Sequence, residues 1–311
     1  MTLTPNPAWD LTYQVDHLTI GESVRVHARS ARAGGKGVNV ARVARTLGAR
    51  STAVLPLGGA LGGLVADDLL EDRLPSLIVP VAGPTRQSVA MVPRDGAHPT
   101  VVNEPGPELD DAEWADLIAA TVRTVGEAAP APSHVVVAVC GSLPPGTTKD
   151  RTTDLVRSLQ ATGAQVYVDV SGPALGWAAE AGADLVKPNR SELAEATGTD
   201  DMVRGAAELL QHARSVVVTD GERGMHAFVA GPQGARLLAH ARLPEPVVGN
   251  PTGAGDAAMA ALAASGAAPW PRRLALAVAT SAAAVLQPVA GAADPQHIET
   301  LLARVSTTTE K

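Results

Sequence analysis

A single cysteine stands in this chain of 311 residues, so an internal disulfide framework is excluded. Cys140 lies in an apolar run and reads as buried packing. No apolar stretch reaches transmembrane length, and the first residues lack a basic region followed by an apolar one. Neither a membrane span nor a signal peptide is therefore expected, and the chain reads as cytoplasmic. Cysteine and histidine nowhere cluster at zinc-ligand spacing, and His98 and His134 stand alone with turn and core explanations. Positive charge is short: a formal net charge of −7 argues against nucleic acid as a partner. Lysine is scarcer still, with only Lys36, Lys149, Lys187 and Lys311, and arginine supplies the rest. The Gly-x4-Gly-Lys-Ser/Thr spacing of a P-loop is absent, which excludes that class. Internal repeats and low-complexity tracts are missing too.

What is present is alternation. The valine-rich runs 51–57, 76–81, 134–140, 165–170, 183–187 and 215–219 read as buried strands. Residues 37–47, 61–72, 109–126, 148–162 and 202–213 read as helices between them. Such alternation implies an α/β fold, a parallel sheet covered on both faces, with ligands at the carboxyl ends of its strands. The length suits one large α/β domain, 1–311, with an appendage. Two segments break the pattern. Residues 11–33 alternate without a helical period. Residues 87–103 read as a hairpin, with strands at 89–92 and 100–102 around a turn at Arg94-Asp95-Gly96. Together they form either a small β-lid over the site or an ordinary edge hairpin. Residues 127–133 read as a short Ala/Pro connection.

The chemistry concentrates in Asn250-Pro251-Thr252-Gly253-Ala254-Gly255-Asp256, which runs into a small-residue helix at 257–265. The N–H groups of Gly253, Ala254 and Gly255 open a helix and are expected to be unpaired, ready for an anion. Glycine lets the backbone approach a phosphate without Cβ obstruction. An aspartate beside an anion hole repels phosphate, so binding alone does not explain it. It makes sense if Asp256 takes a proton from a hydroxyl that attacks the phosphoryl group held by the turn. The plainer reading is Asp in a first helical turn, favoured by the macrodipole. A second glycine-rich opening, Gly34-Gly35-Lys36-Gly37-Val38-Asn39, precedes a helix marked by Val40, Ala44 and Leu47 and stopped by Gly48. It suits a polyhydroxylated ligand.

With these motifs in order, the chain resembles the PfkB/ribokinase-type carbohydrate kinases, closest to the branch of 1-phosphofructokinase, tagatose-6-phosphate kinase and the minor 6-phosphofructokinase. The resemblance runs nearly end to end. It is carried by residues 6–10, 34–42, Thr85-Arg86, 103–107, Gly141–Gly146, 187–193 (Lys-Pro-Asn-Arg-Ser-Glu-Leu), 219–224 and 250–256. It implies a ribokinase-like three-layer α/β/α fold with a central, mostly parallel sheet and a small β-sheet lid at about 11–33 and 86–103. In the family such a lid often also mediates dimerisation, so a homodimer through it is expected.

The resemblance also assigns roles. Asp256 is the base and Gly253, Ala254 and Gly255 the anion hole. Asp10, lying just after the first strand, accepts hydrogen bonds from vicinal hydroxyls, and Gly35, Lys36 and Asn39 face the same sugar. Arg86 and Asn103 sit at the ends of the lid hairpin, Arg86 placed to grip a phosphate already on the substrate. Arg25, Arg29 and Arg32 either add to that grip or form a solvated strand face; Arg42 and Arg45 read as surface charge. Trp9 borders Asp10 and packs beside the ligand, whereas Trp114, Trp177 and Trp270 read as ordinary packing. Lys187 lies near the triphosphate of ATP. Asn189 and Glu192 either help hold Mg²⁺, largely through water, or form a capping box. Thr219, Gly221 and Gly224 contact nucleotide phosphates or make a plain turn, and Asp220 is unexplained, since the family more often has Leu or Lys there. The implied reaction is ATP- and Mg²⁺-dependent phosphorylation of a phosphorylated ketohexose, first fructose 1-phosphate to fructose 1,6-bisphosphate. Tagatose 6-phosphate, fructose 6-phosphate or an unphosphorylated sugar are alternatives within the class, and a non-catalytic sugar- or nucleotide-binding protein lies outside it.

Overall fold

The computed structural model describes residues 1–95, 99–128, 135–231 and 234–309. In chain order its strands are β1 (Thr2–Leu3), β2 (Ala8–Val15), β3 (Ala28–Gly34), β4 (Ala53–Leu57), β5 (Ser76–Pro80), β6 (Arg86–Pro93) and β7 (Thr100–Asn103). They continue with β8 (Val136–Cys140), β9 (Gln165–Asp169), β10 (Leu185–Val186), β11 (Ser215–Thr219), β12 (Met225–Gly231), β13 (Gly234–Arg242) and β14 (Ser306–Thr308). The helices are α1 (Lys36–Thr46), α2 (Gly59–Glu71), α3 (Asp111–Ala128), α4 (Lys149–Gln160) and α5 (Ala174–Glu180). After them come α6 (Arg190–Thr197), α7 (Met202–Leu209), α8 (Ala254–Ala264), α9 (Trp270–Val285) and α10 (Pro295–Leu302).

The main sheet runs β14-β13-β12-β11-β10-β9-β8-β1-β4-β5. From β5 to β11 every pairing is parallel; β12, β13 and β14 extend that edge antiparallel. Alternate residues of the buried strands feed opposite faces, as the period of two requires. On β8, Val137 and Val139 join the core under α3, α4 and α5, whereas Ala138 and Cys140 join the one under α1, α8 and α9. The α8 face is built almost wholly of alanine, and Ala257, Ala258, Ala260 and Ala261 are fully buried. Small side chains let α8 lie close against α9 and α1. Cys140 is free and buried, as expected.

A second sheet, β3-β2-β6-β7, stands apart from the first. It begins at Ala8, three residues earlier than residue 11, because Ala8 already pairs with both Gly34 and Arg86. Asp10 follows the short first strand β1, as expected, and itself lies inside β2, opposite Arg32 and Ser88. The antiparallel edge β12–β14 escaped the sequence reading: β13 and β14 are mostly half-exposed or exposed, and the buried Met225, Ala227 and Phe228 of β12 are interrupted by His226. Gly96, His98, residues 129–133 and His134, named above, lie outside the described residues. No helix among the described residues is long and apolar enough to cross a membrane.

Candidate active site

A polar cluster gathers where the parallel strands end. Asp169 closes β9, Lys187 follows β10, Thr219 closes β11, and Asp256 sits in the first turn of α8. Gly253 caps α8 with φ 83°, and a Cβ there would lie 2.8 Å from that of Ala290, so this turn is held for glycine. Among the described residues the amides of Gly253, Gly255 and Asp256 have no backbone partner, but that of Ala254 donates to Pro251 O at 3.1 Å. The expected trio of open amides therefore changes in one member: Ala254 closes the turn and Asp256 takes its place. Lys187 Nζ approaches the same turn, 3.6 Å from where a Gly255 Cβ would stand.

Asp256 is buried and accepts a hydrogen bond from Asn39 Nδ2 at 2.9 Å. Burial first, then the charge of Asp169, pushes its carboxyl up to about 6, while Lys36, Asn39 and Lys187 hold it back. A carboxylate tuned toward neutral pH suits a general base.

Sequence reasoning missed Asp169. It is buried at the centre of the cluster, with Lys36 Nζ 3.1 Å from Oδ1 and Lys187 Nζ 2.9 Å from Oδ2. The second contact is an ion pair not aligned as a hydrogen bond. Burial would raise the Asp169 carboxyl, but Lys187 and then Lys36 outweigh it and hold it below the usual value. Burial likewise opposes the charge on Lys36, yet Asp169, Asp256 and Glu192 together raise its pKa above the ordinary range. The available signal was an acid inside the apolar run 165–170, at the strand end beside the Lys187 strand.

The second sheet delivers the other polar groups. Arg32, Asp10, Ser88 and Asn103 form one cross-strand row, and paired residues share a face. Asp10 fits against Gly34, where a Cβ would fall inside its carboxyl group. Burial raises the Asp10 carboxyl to about 6, opposed by Arg86 and reinforced by Asp256. Arg86 donates to Asn6 O and Glu104 O, both at 3.2 Å. Asn103 accepts from Ser88 Oγ at 2.8 Å. Arg32 reaches back to Ala290 O at 2.9 Å.

Several residues fall elsewhere than the sequence suggested. Arg25 and Arg29 are exposed, and within this chain Arg25 meets none of the site residues. Arg42 is not surface charge: its guanidinium is buried, pairs with Asp68 and Asp72, and donates to Ala33 O. It staples α1, α2 and the end of β3 together. Arg45 is exposed, as expected. Trp9 points to the face of β2 opposite Asp10 and packs with the core beneath α2, because successive strand residues alternate sides.

On the other side of Lys187, Asn189 bridges to Thr219, whose amide donates to Pro188 O. Asn189 and Glu192 form the capping box of α6, each side chain accepting from the other's amide at 2.8 Å. That leaves Glu192 Oε1 without a hydrogen bond among the described residues, in a long ion pair with Lys36 Nζ at 3.9 Å. Among the described residues no three acidic, histidine or cysteine side chains converge to hold a metal directly. One free carboxylate oxygen beside an amide oxygen fits Mg²⁺, which keeps most of its waters while bridging phosphates. Asp220 is explained as an anchor: Arg223 grips it through Nε at 2.8 Å and Nη2 at 2.6 Å, and Arg190 approaches at 3.3 Å. It fixes the turn 221–224, whose Gly221 and Glu222 amides have no backbone partner among the described residues. This turn borders a cavity of about 760 Å³, walled by Met225, Val247, Val278 and Val285.

A buried carboxylate pinned by asparagine beside open amides and lysines, next to a cavity of this size, is the arrangement of a group-transfer site. The sequence matches the profile of the pfkB family carbohydrate kinases over residues 4–298. The chain belongs to that family. The kinase is 31% identical over 308 residues to ATP-dependent 6-phosphofructokinase isozyme 2 of Mycobacterium tuberculosis (strain ATCC 25618 / H37Rv), covering 96% of this chain and 87% of that one. It is also 31% identical over 309 residues to 1-phosphofructokinase of Vibrio cholerae, covering 97% and 94%. Its backbone superposes on phosphofructokinase-2 from Escherichia coli in complex with fructose-6-phosphate with a TM-score of 0.82, at 28% identity and 97% coverage of both chains. The kinase thus has the ribokinase-like α/β fold. Relatives of both names match at similar identity, so overall similarity does not choose between the two kinds of phosphofructokinase.

Proposed function

We propose that this kinase transfers the γ-phosphoryl group of ATP to a phosphorylated ketohexose, first of all fructose 1-phosphate, giving fructose 1,6-bisphosphate. The observation that carries the reading is Asp256, buried, held by Asn39, and set beside the open amides of Gly253 and Gly255. Asp256 takes the proton of the acceptor hydroxyl as that oxygen attacks the γ-phosphorus and the bond to the β-bridging oxygen of ATP breaks. The open amides and Lys187 face the charge spread over the moving phosphoryl group. Asp169 holds Lys36 and Lys187 in place, and Asp10, Gly35 and Asn39 receive the sugar. Arg86, half-buried next to Asp10, has guanidinium donors left for the phosphate the acceptor already carries. Thr219, Gly221 and Gly224 border the nucleotide, whose base occupies the apolar cavity.

Mg²⁺, when bound to the nucleotide, supplies charge neutralisation across its phosphates, and Asn189 and Glu192 are the residues that would hold it through water. The second sheet serves as the lid of one kinase domain and as the surface for a homodimer, where an exposed Arg25 would face the partner. Both substrates belong to the cytoplasm, and the reading places the enzyme there. Fructose 6-phosphate is the second reading, favoured by the likeness to phosphofructokinase-2.

The deciding experiment is ADP release with Mg-ATP against fructose 1-phosphate, fructose 6-phosphate, tagatose 6-phosphate, fructose and ribose. Turnover concentrated on one phosphosugar supports the reading and names the substrate. Turnover confined to an unphosphorylated sugar refutes the role given to Arg86.

A further inference from the structure

The cavity beside the turn 221–224 has an unexpected fourth wall. Gln14, Val92 and Pro93, at the far end of the second sheet, and Pro99, just before β7, also line it. Asp10 and Gln14 lie four residues apart on β2, so they share a face. At the rise of an extended strand they are separated by about 13 Å. One end of that face meets Gly34 and the acceptor side of the site; the other overlooks the cavity across from Val247, Val278 and Val285. The Gln14 side chain makes no hydrogen bond to another described residue, and its amide offers both donors and an acceptor. A donor nucleotide with its terminal phosphate near Asp256 must place its nucleoside end in that cavity, under Gln14.

We infer that the lid is a wall of the nucleotide site as well as a cover for the sugar, and that Gln14 hydrogen-bonds the nucleoside end of the phosphoryl donor. The inference rests on the kinase reading given above. It has a thermodynamic consequence. An acceptor that draws Asp10 and its strand down onto the site also brings Gln14 and Val92 onto the nucleotide. The two substrates therefore tighten each other's binding through one rigid β-sheet, and the coupling is reciprocal.

The test measures ADP binding by calorimetry, with and without the acceptor sugar phosphate identified by turnover, for the full chain and for Gln14→Ala and Gln14→Leu. Gln14 is exposed, so both variants are expected to fold. In the unaltered protein the acceptor should tighten ADP binding severalfold. Each variant should bind ADP about threefold to tenfold more weakly in the presence of acceptor, the size of one lost hydrogen bond. The acceptor's effect on ADP should shrink, and ADP's effect on acceptor binding should shrink by the same factor, while acceptor affinity measured without nucleotide should stay within about twofold. Unchanged ADP affinity and unchanged coupling in both variants of an active enzyme overturn this inference and leave the kinase reading standing. A wild-type protein that binds no ADP and turns over no sugar overturns both.

Discussion

Replacing Asp256 by asparagine should destroy activity and stabilise the protein. Asparagine keeps the shape and still presents an oxygen to Asn39 Nδ2, which lies 2.9 Å from Oδ2 of the native residue. It removes the proposed base, and loss of a general base costs about 10²–10⁴-fold in turnover. It also removes a buried charge. The rise of the Asp256 carboxyl from 3.8 to about 6 corresponds to about 3 kcal/mol of destabilisation of the folded state when the group is ionised. The opposing pull of Lys36 and Lys187 is already contained in that rise. For a chain of this size the gain is on the order of 5 °C in melting temperature at pH 7.5. The sign with pH follows from linkage. A carboxyl whose folded pKa is raised binds its proton more tightly when folded, so acidification from about 6 down to 3.8 stabilises the wild type. The advantage of the variant is full above about 6 and fades through that window. The assay is a pair of thermal melts across pH 4.5–8 beside coupled turnover. A variant that keeps more than about one-tenth of wild-type kcat refutes the base. A melting gap that does not vary with pH refutes the buried-charge argument.

Further outcomes follow from the same geometry. Below pH 6 the wild-type kcat/KM should fall with a slope steeper than one proton, because Asp256 and Asp10 both titrate at about 6 and both act as carboxylates; a single-proton slope would remove Asp10 from catalysis. Gly34→Ala forces a methyl into the Asp10 carboxyl, so the acceptor KM should rise at least about tenfold, worth about 1.4 kcal/mol, while ADP affinity measured without acceptor stays unchanged. Asp169→Asn leaves Lys36 and Lys187 without the buried carboxylate both of them meet. It should cost about 3–5 kcal/mol in chemical denaturation and lower kcat; a loss of kcat at unchanged stability would mean that Asp169 is not the structural hub described.

Much of the site is written locally. Glycines 253 and 255 before Asp256, the Gly34–Gly37 opening, and the lysine after β10 each sit within a few residues of the element that positions them. Their chemistry follows from helix termini and strand ends. The capping box shows the limit of such local reading: Asn189 and Glu192 look the same in sequence whether they cap, meet a cation, or do both. Arg42 was misjudged because its polar neighbours, Asp68 and Asp72, lie on a helix that sequence does not dock. Asp220 looked anomalous until Arg190 and Arg223 stood around it.

The sequence alone therefore determined the alternation of strands and helices, the parallel α/β core, and the residue types at the strand ends, because hydrophobic period and glycine geometry act over a few residues. Only the tertiary structure decided that Lys36 meets Asp169, 133 residues away, and that Asn39 meets Asp256, 217 residues away. It also decided that one face of β2 runs from Asp10, against Gly34, to the cavity that Gln14 lines. Those pairings depend on how layers pack, and packing joins residues that no local pattern relates.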